Sequence, residues 1–206
     1  MNVTVTGSQA DGYLTVWPCD QPQPNASNLN FRRGVDVPNL VTVKLAANGS
    51  VCIFSTAATH VLADAAMFFS SASTGGFIDV TPVRVLDTRA ISQPTRASLS
   101  AGSQISLQVS GLVGVPATGA SSVTMNVTVT NTEADGYLTV WPCDQPRPEA
   151  SNLNFRRGAD VPNLASVKLA ANGTVCIFST APTDVLADVA GYTTDVPVSY
   201  WDVVIE

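Results

Sequence analysis

The sequence has little charge. Ten Lys and Arg stand against sixteen Asp and Glu, 13% of the chain, about half the usual share. With a net charge of −6 and a pI near 4.6, it lacks the basic footprint that phosphate recognition requires, so no nucleic-acid partner is expected. The acidity is also too dilute for a polyanionic tail. No apolar run is long enough for a membrane-spanning helix, and no membrane insertion is expected. No window keeps a capped 3.6-residue period. No secretory leader is visible, because Met1 opens directly into N-V-T-V-T; an exported chain would carry its signal upstream. Histidine occurs once, at His60, and no G-x-S-x-G elbow exists, which leaves a Ser-His-Asp hydrolase little to stand on. Disorder is excluded from the other side, since 45% of the residues are hydrophobic.

What is present is a repeat. Met1 to Ala66 recurs without a gap as Met125 to Ala190, with roughly four in five positions identical. The shared strings include A-D-G-Y-L-T-V-W-P-C-D-Q-P, A-S-N-L-N-F-R-R-G, D-V-P-N-L and K-L-A-A-N-G. The changes include Gln23 to Arg147, Asn25 to Glu149, Ala58 to Pro182 and His60 to Asp184, as expected of loops and solvent faces.

Each copy reads as short strands between turn signals. Asn2–Thr6 and Tyr13–Trp17, joined through Asp11-Gly12, predict one hairpin, and Leu40–Leu45 and Val51–Ser55, joined through Asn48-Gly49, predict another. Val61–Ala66 adds a strand, and Val83–Leu86, Gln104–Val109 and Val123–Thr130 give candidates in the spacer. The fold class predicted is all-β: tandem antiparallel β-sandwich-like units with hairpins and one disulfide per unit. The units expected are 1–76, incomplete at its N-terminus, 77–194, complete, and a strand-like tail, 195–206. The first unit lacks an equivalent of Phe77 to Thr124. Three closures follow, in order of preference: a longer array of which this is a fragment, strands from another chain, or residues after Thr194. Val196 to Ile205 is strand-prone, so strand addition between molecules, building a filament, is one expected outcome.

Four cysteines allow three pairings. The repeat favours Cys19–Cys52 and Cys143–Cys176, because a duplicated unit should fold with its own bridge. Metal binding competes, but the spacing is not C-x-x-C and His60 has no counterpart in the other copy. Closing about 34 residues would stabilise each unit by about 3–4 kcal/mol in the chain-entropy model. An oxidising compartment follows, extracellular or at the cell surface.

The ordered motifs V-R-V-L-D-T-R (Val83 to Arg89), G-V-P-A, N-V-T-V-T, G-Y-L-T-V-W-P, S-N-L-N-F, V-P-N-L and D-V-A-G-Y together resemble a repeat module of secreted and surface proteins of actinobacteria. The resemblance covers nearly all of the chain except the last dozen residues. It implies an exported β-rich module of uncharacterised role, with no catalytic residues to carry over. The chain departs from the module by starting within it and by ending in S-Y-W-D-V-V-I-E.

Candidate chemistry is sparse. Asp64 and Asp188 sit in apolar V-L-A-D strands, which suggests acid–base work; the plainer expectation is pairing with an arginine, Arg84 or Arg89. Asp11, Asp20, Asp36, Asp135, Asp144 and Asp160 are isolated turn carboxylates rather than a calcium loop. The N-x-[ST] sequons at Asn2, Asn25, Asn48, Asn126 and Asn172 read as Thr-rich strand and turn composition. For ligand recognition the candidates are Trp17, Asn28, Asn30, Arg32 and Arg33, copied as Trp141, Asn152, Asn154, Arg156 and Arg157. Together they offer stacking and hydrogen bonding to a glycan, and two copies offer avidity. Alternation along a strand, with the asparagines outward, accounts for the same residues. No enzyme activity and no cofactor are expected. The leading expectation is an extracellular structural or adhesive module of a cell-surface array, stalk or filament, with self-association or neighbouring repeats as partners. A carbohydrate-binding module is the alternative, and an exported hydrolase a distant third. Non-reducing peptide mapping should return Cys19–Cys52 and Cys143–Cys176 peptides; a Cys19–Cys143 cross-link would contradict the unit assignment.

Overall fold

A computed structural model describes residues 1–65, 68, 75–89 and 98–194. The segment 195–206, expected as a strand-like tail, lies outside the described residues. Every regular element among the described residues is a strand. The first copy contributes β1 (Asn2–Thr6), β2 (Gly12–Pro18), β3 (Leu29–Phe31), β4 (Val37–Leu40), β5 (Val51–Ser55) and β6 (His60–Asp64). The spacer contributes β7 (Phe77–Asp87) and β8 (Ser103–Gln108). The second copy contributes β9 (Ala120–Thr130), β10 (Gly136–Pro142), β11 (Leu153–Phe155), β12 (Val161–Lys168), β13 (Thr174–Ser179) and β14 (Asp184–Thr194).

These strands form four antiparallel sheets. In the first copy the orders are β4-β1-β6 and β3-β2-β5; in the second they are β12-β9-β14-β7 and β11-β10-β13-β8. Alternation explains the facing layers. Val3, Val5, Leu14, Val16, Leu29, Phe31 and Val41 turn inward as one small core, while a larger core gathers their counterparts with Leu86 of β7 and Leu107 of β8. Both bridges form within their copies, with Cα atoms 4.9 Å apart in each.

Two turns differ from their reading in the sequence. β1 and β2 lie in different sheets, as do β4 and β5, so neither Asp11-Gly12 nor Asn48-Gly49 closes a hairpin. Residue 7 or 131 starts the first crossing in a left-handed conformation, with φ +61° at Gly7 and +52° at Asn131. The Asn-Gly turn does form, with the Gly49 amide donating to the Ala46 carbonyl at 2.8 Å, but it carries the chain across the sandwich. The consecutive strands that do pair are β2 with β3 and β10 with β11. The strand expected at Leu40–Leu45 lies instead at Val37–Leu40 and shares only Leu40 with that range. Asn2 pairs with Leu40 at the end of β1, whereas β9 starts at Ala120 and extends β12 to Lys168.

The copies touch along β4, which packs on β11 and β12. The Asn2 amide donates to the Ser151 carbonyl at 3.0 Å and Asn163 donates to the Asn2 side-chain oxygen at 3.2 Å. Arg156 donates to the Gly34 carbonyl at 2.6 Å.

Candidate interaction site: an open strand edge

The two copies share their strands but not their neighbours. β7 lies beside β14 and β8 beside β13, while β6 and β5 have no strand on the corresponding side among the described residues. β3 packs against β4 at the opposite flank, so both open edges face the same way. The same side chains therefore meet different surroundings. Ile177 and Val185 are fully buried, whereas Ile53 and Val61 are each 38% exposed. Leu186 is buried and Leu62 is half exposed; Phe178 is buried and Phe54 is not. Full burial of such a side chain is worth roughly 1.5–3 kcal/mol, of which the first copy realises only part.

The covered edge of the second copy shows what β7 supplies besides apolar area. Arg84 donates twice to Asp188, Nε to Oδ1 at 2.8 Å and the second bond at 3.1 Å. That side-chain hydrogen bond raises the guanidinium above its ordinary value. The arginine expected opposite Asp188 is thus Arg84; Arg89 turns instead to Asp87 at 2.6 Å. Among the described residues the matching carboxylate of the first copy, Asp64, receives no such arginine. Beside this pair, buried Asp184 accepts from Thr88 at 3.0 Å, Ser98 at 2.7 Å and Asn131 at 2.9 Å. Thr88 in turn accepts from the Val185 amide at 2.8 Å. In the first copy Asp184 is replaced by exposed His60, and Asn131 by Gly7. This polar latch is therefore peculiar to the second copy. The His-to-Asp difference was visible in the sequence, but its partners come from distant segments.

The residues expected to bind a ligand are mostly occupied in holding loops. The Trp17 indole donates to the Gln21 carbonyl and that of Trp141 to the Gln145 carbonyl, both at 3.0 Å. Trp141 is 4% exposed and packs with Cys143, Cys176 and Phe178, so its ring presents no face to a sugar. Arg147, replacing Gln23, stacks over Phe178 at 3.7 Å. The amides of Val16 and Val140 donate to Asn28 and Asn152 at 2.7 Å. Asn30 and Asn154 accept from Ser27 and Ser151. The amides of Arg33 and Arg157 donate to Asp11 and Asp135, and those of Ala47 and Ala171 to Asp20 and Asp144. Arg32 is exposed.

Asn154 and Arg156 of that set line a common cavity. It is a cleft of ≈ 630 Å³ between the copies, bordered also by Tyr137, Asp135, Asp36 and Pro38. Tyr137 was not singled out in the sequence; it is 38% exposed. Asp64 lines a smaller cleft of ≈ 150 Å³ with Asp36 and Glu149. Among the described residues no group of three or more His, Cys, Asp or Glu is arranged to hold a metal ion.

Replacing Asp184 by Ala should destabilise the second copy by about 2–3 kcal/mol, because three donors lose a charged acceptor. Replacing His60 by Ala should change stability by less than about 0.5 kcal/mol. Urea titrations of the two variants against the parent decide it; equal losses would contradict the latch.

No family model matches the chain, and no curated protein matches it. Among solved structures, an isomalto-dextranase of Arthrobacter globiformis T6 complexed with panose aligns at 10% identity and a TM-score of 0.26, over 95% of this chain and 34% of that one. The infectious bursal disease virus VP2 subviral particle aligns at 11% identity and a TM-score of 0.20, over 93% and 54%. The chain spans about a third and about half of those proteins, and similarity at this level carries no argument about function.

Proposed function

We propose that the protein is a non-catalytic structural or adhesive repeat module of an extracellular or cell-surface array, and that it associates by strand addition at the open edge of its first copy. The observation that carries this reading is the contrast between equivalent strands: β5 and β6 expose the side chains that β13 and β14 bury. An unpaired, partly apolar edge is a template for a further strand. Low charge and an intramolecular bridge in each copy suit a durable spacer more than a catalyst. The two intramolecular bridges support an oxidising compartment. The motif resemblance to exported actinobacterial modules supports the same assignment.

A second reading, glycan binding, is favoured by the cleft between the copies, which joins an exposed aromatic ring to an arginine, an amide and two carboxylates. One comparison separates the two. Substituting Ile53 and Leu62 together by Lys charges the edge without touching the cleft. Light scattering should show the parent associating as concentration rises and the double variant remaining monomeric with an unchanged melting temperature. A parent that stays monomeric throughout and binds a glycan array through Tyr137 would instead favour the second reading.

A further inference from the structure

The open edge is self-complementary. Strand β6 reads His60-Val61-Leu62-Ala63-Asp64, and antiparallel pairing with its own copy about Leu62 sets His60 opposite Asp64, Val61 opposite Ala63 and Leu62 opposite Leu62. Directly opposed residues share a face of the sheet. Val185 and Ala187, the counterparts of Val61 and Ala63, belong to the core of the second copy. In the self-pair, Val61 and Ala63 therefore meet on the inner face and extend the small core of the first copy. His60, Leu62 and Asp64 lie on the outer face, where an imidazole N–H at each end donates to a carboxylate.

We propose that β6 is a homodimerisation edge: two molecules join by antiparallel pairing of His60–Asp64 about a two-fold axis at Leu62, with each His60 facing the partner's Asp64. This inference rests on the strand-addition reading and names its occupant, a second copy of the chain. Charge selects that occupant. Among the described residues Asp64 lacks the arginine that its counterpart Asp188 receives from β7, and it shares its cleft with Asp36 and Glu149, so the site favours a donor or cation. Among the described residues the His60 ring lies beside Gly7 and forms no ion pair, so no described carboxylate of its own molecule competes for it. The corresponding register in the second copy would oppose Asp184 to Asp188, two like charges, on an edge already covered by β7. Only the first copy is suited to pair with itself, and the substitution responsible is the single histidine of the chain. Apolar surface adds to the contact, since Ile53 and Phe54 on the adjoining edge of β5 are exposed on the same flank. A contact of this kind closes on itself and joins molecules in pairs.

The test is sedimentation equilibrium of the full chain. His60→Asp introduces the residue that the second copy carries at the equivalent place; because His60 is exposed the fold should tolerate the change, yet it opposes like charges twice per dimer. It should weaken association at least about tenfold. Adding Asp64→Arg to His60→Asp restores opposite charges and should recover most of the loss. If His60→Asp dimerises like the parent while the Ile53 and Leu62 lysine variant does not, self-pairing of β6 is overturned and strand addition stands. Self-pairing is equally overturned if the parent stays monomeric but a synthetic peptide of residues 77–89 binds it and loses affinity with Asp64→Asn. If the parent neither associates nor binds that peptide, both readings fall.

Discussion

The coverage of β13 and β14 by β8 and β7 is the contact on which the rest of the molecule depends. It turns a six-stranded arrangement into an eight-stranded one and brings Leu86 and Leu107 into the core. The spacer that carries these strands brings Thr88 and Ser98 to Asp184, beside Asn131 of the second copy itself, and supplies Arg84 to Asp188. Main-chain pairing gives these contacts their register, apolar area gives them most of their energy, and the carboxylates give them specificity. The first copy lacks this cover among the described residues, and its exposure pattern follows. The duplication thus serves as an internal control, since nearly identical strands differ mainly in whether a neighbour is present.

That control bears on function. An edge left open by chance would keep the chemistry of the covered one, with an aspartate waiting for Thr88 and Ser98. Instead the first copy carries His60 where the latch requires Asp184, and Gly7 where it requires Asn131. The β7 segment accordingly has a polar reason to stay on the second copy, although Asp64 and Asp188 are both present to receive Arg84. Specificity between two almost identical acceptors rests on two positions. This is the use of buried polar groups that physical arguments support best, choosing among arrangements rather than adding stability.

Much of the fold was legible in the sequence because alternation and the repeat speak directly to strands and units. Asn2–Thr6, Val51–Ser55 and the cysteine pairing needed no tertiary knowledge. The two hairpins misread there show where local signals end. Asp11-Gly12 and Asn48-Gly49 specify that the chain turns, and the turns are present, but no local signal says whether the next strand joins the same sheet or the facing one. The strand at Leu40–Leu45 was overcalled because pairing depends on how far a distant neighbour extends. The ligand set failed to gather for a related reason. Trp141 and Asn152 look like recognition residues by type, yet in the fold they tie the loop after β10 to its own strand. The cleft that does form borrows Asp36 and Pro38 from the other copy, which no reading of one repeat could supply.

The account's central claim is that equivalent strands of the two copies differ because only one pair is covered. Amide hydrogen exchange at high dilution measures this strand by strand within one molecule. The account predicts that the outward-facing amides of β5 and β6 exchange orders of magnitude faster than their counterparts in β13 and β14, while the central strands β1 and β2 are protected like their counterparts β9 and β10. Equal protection of β6 and β14 in dilute monomer would mean that the first copy is already closed, and would contradict the open edge on which the functional reading rests.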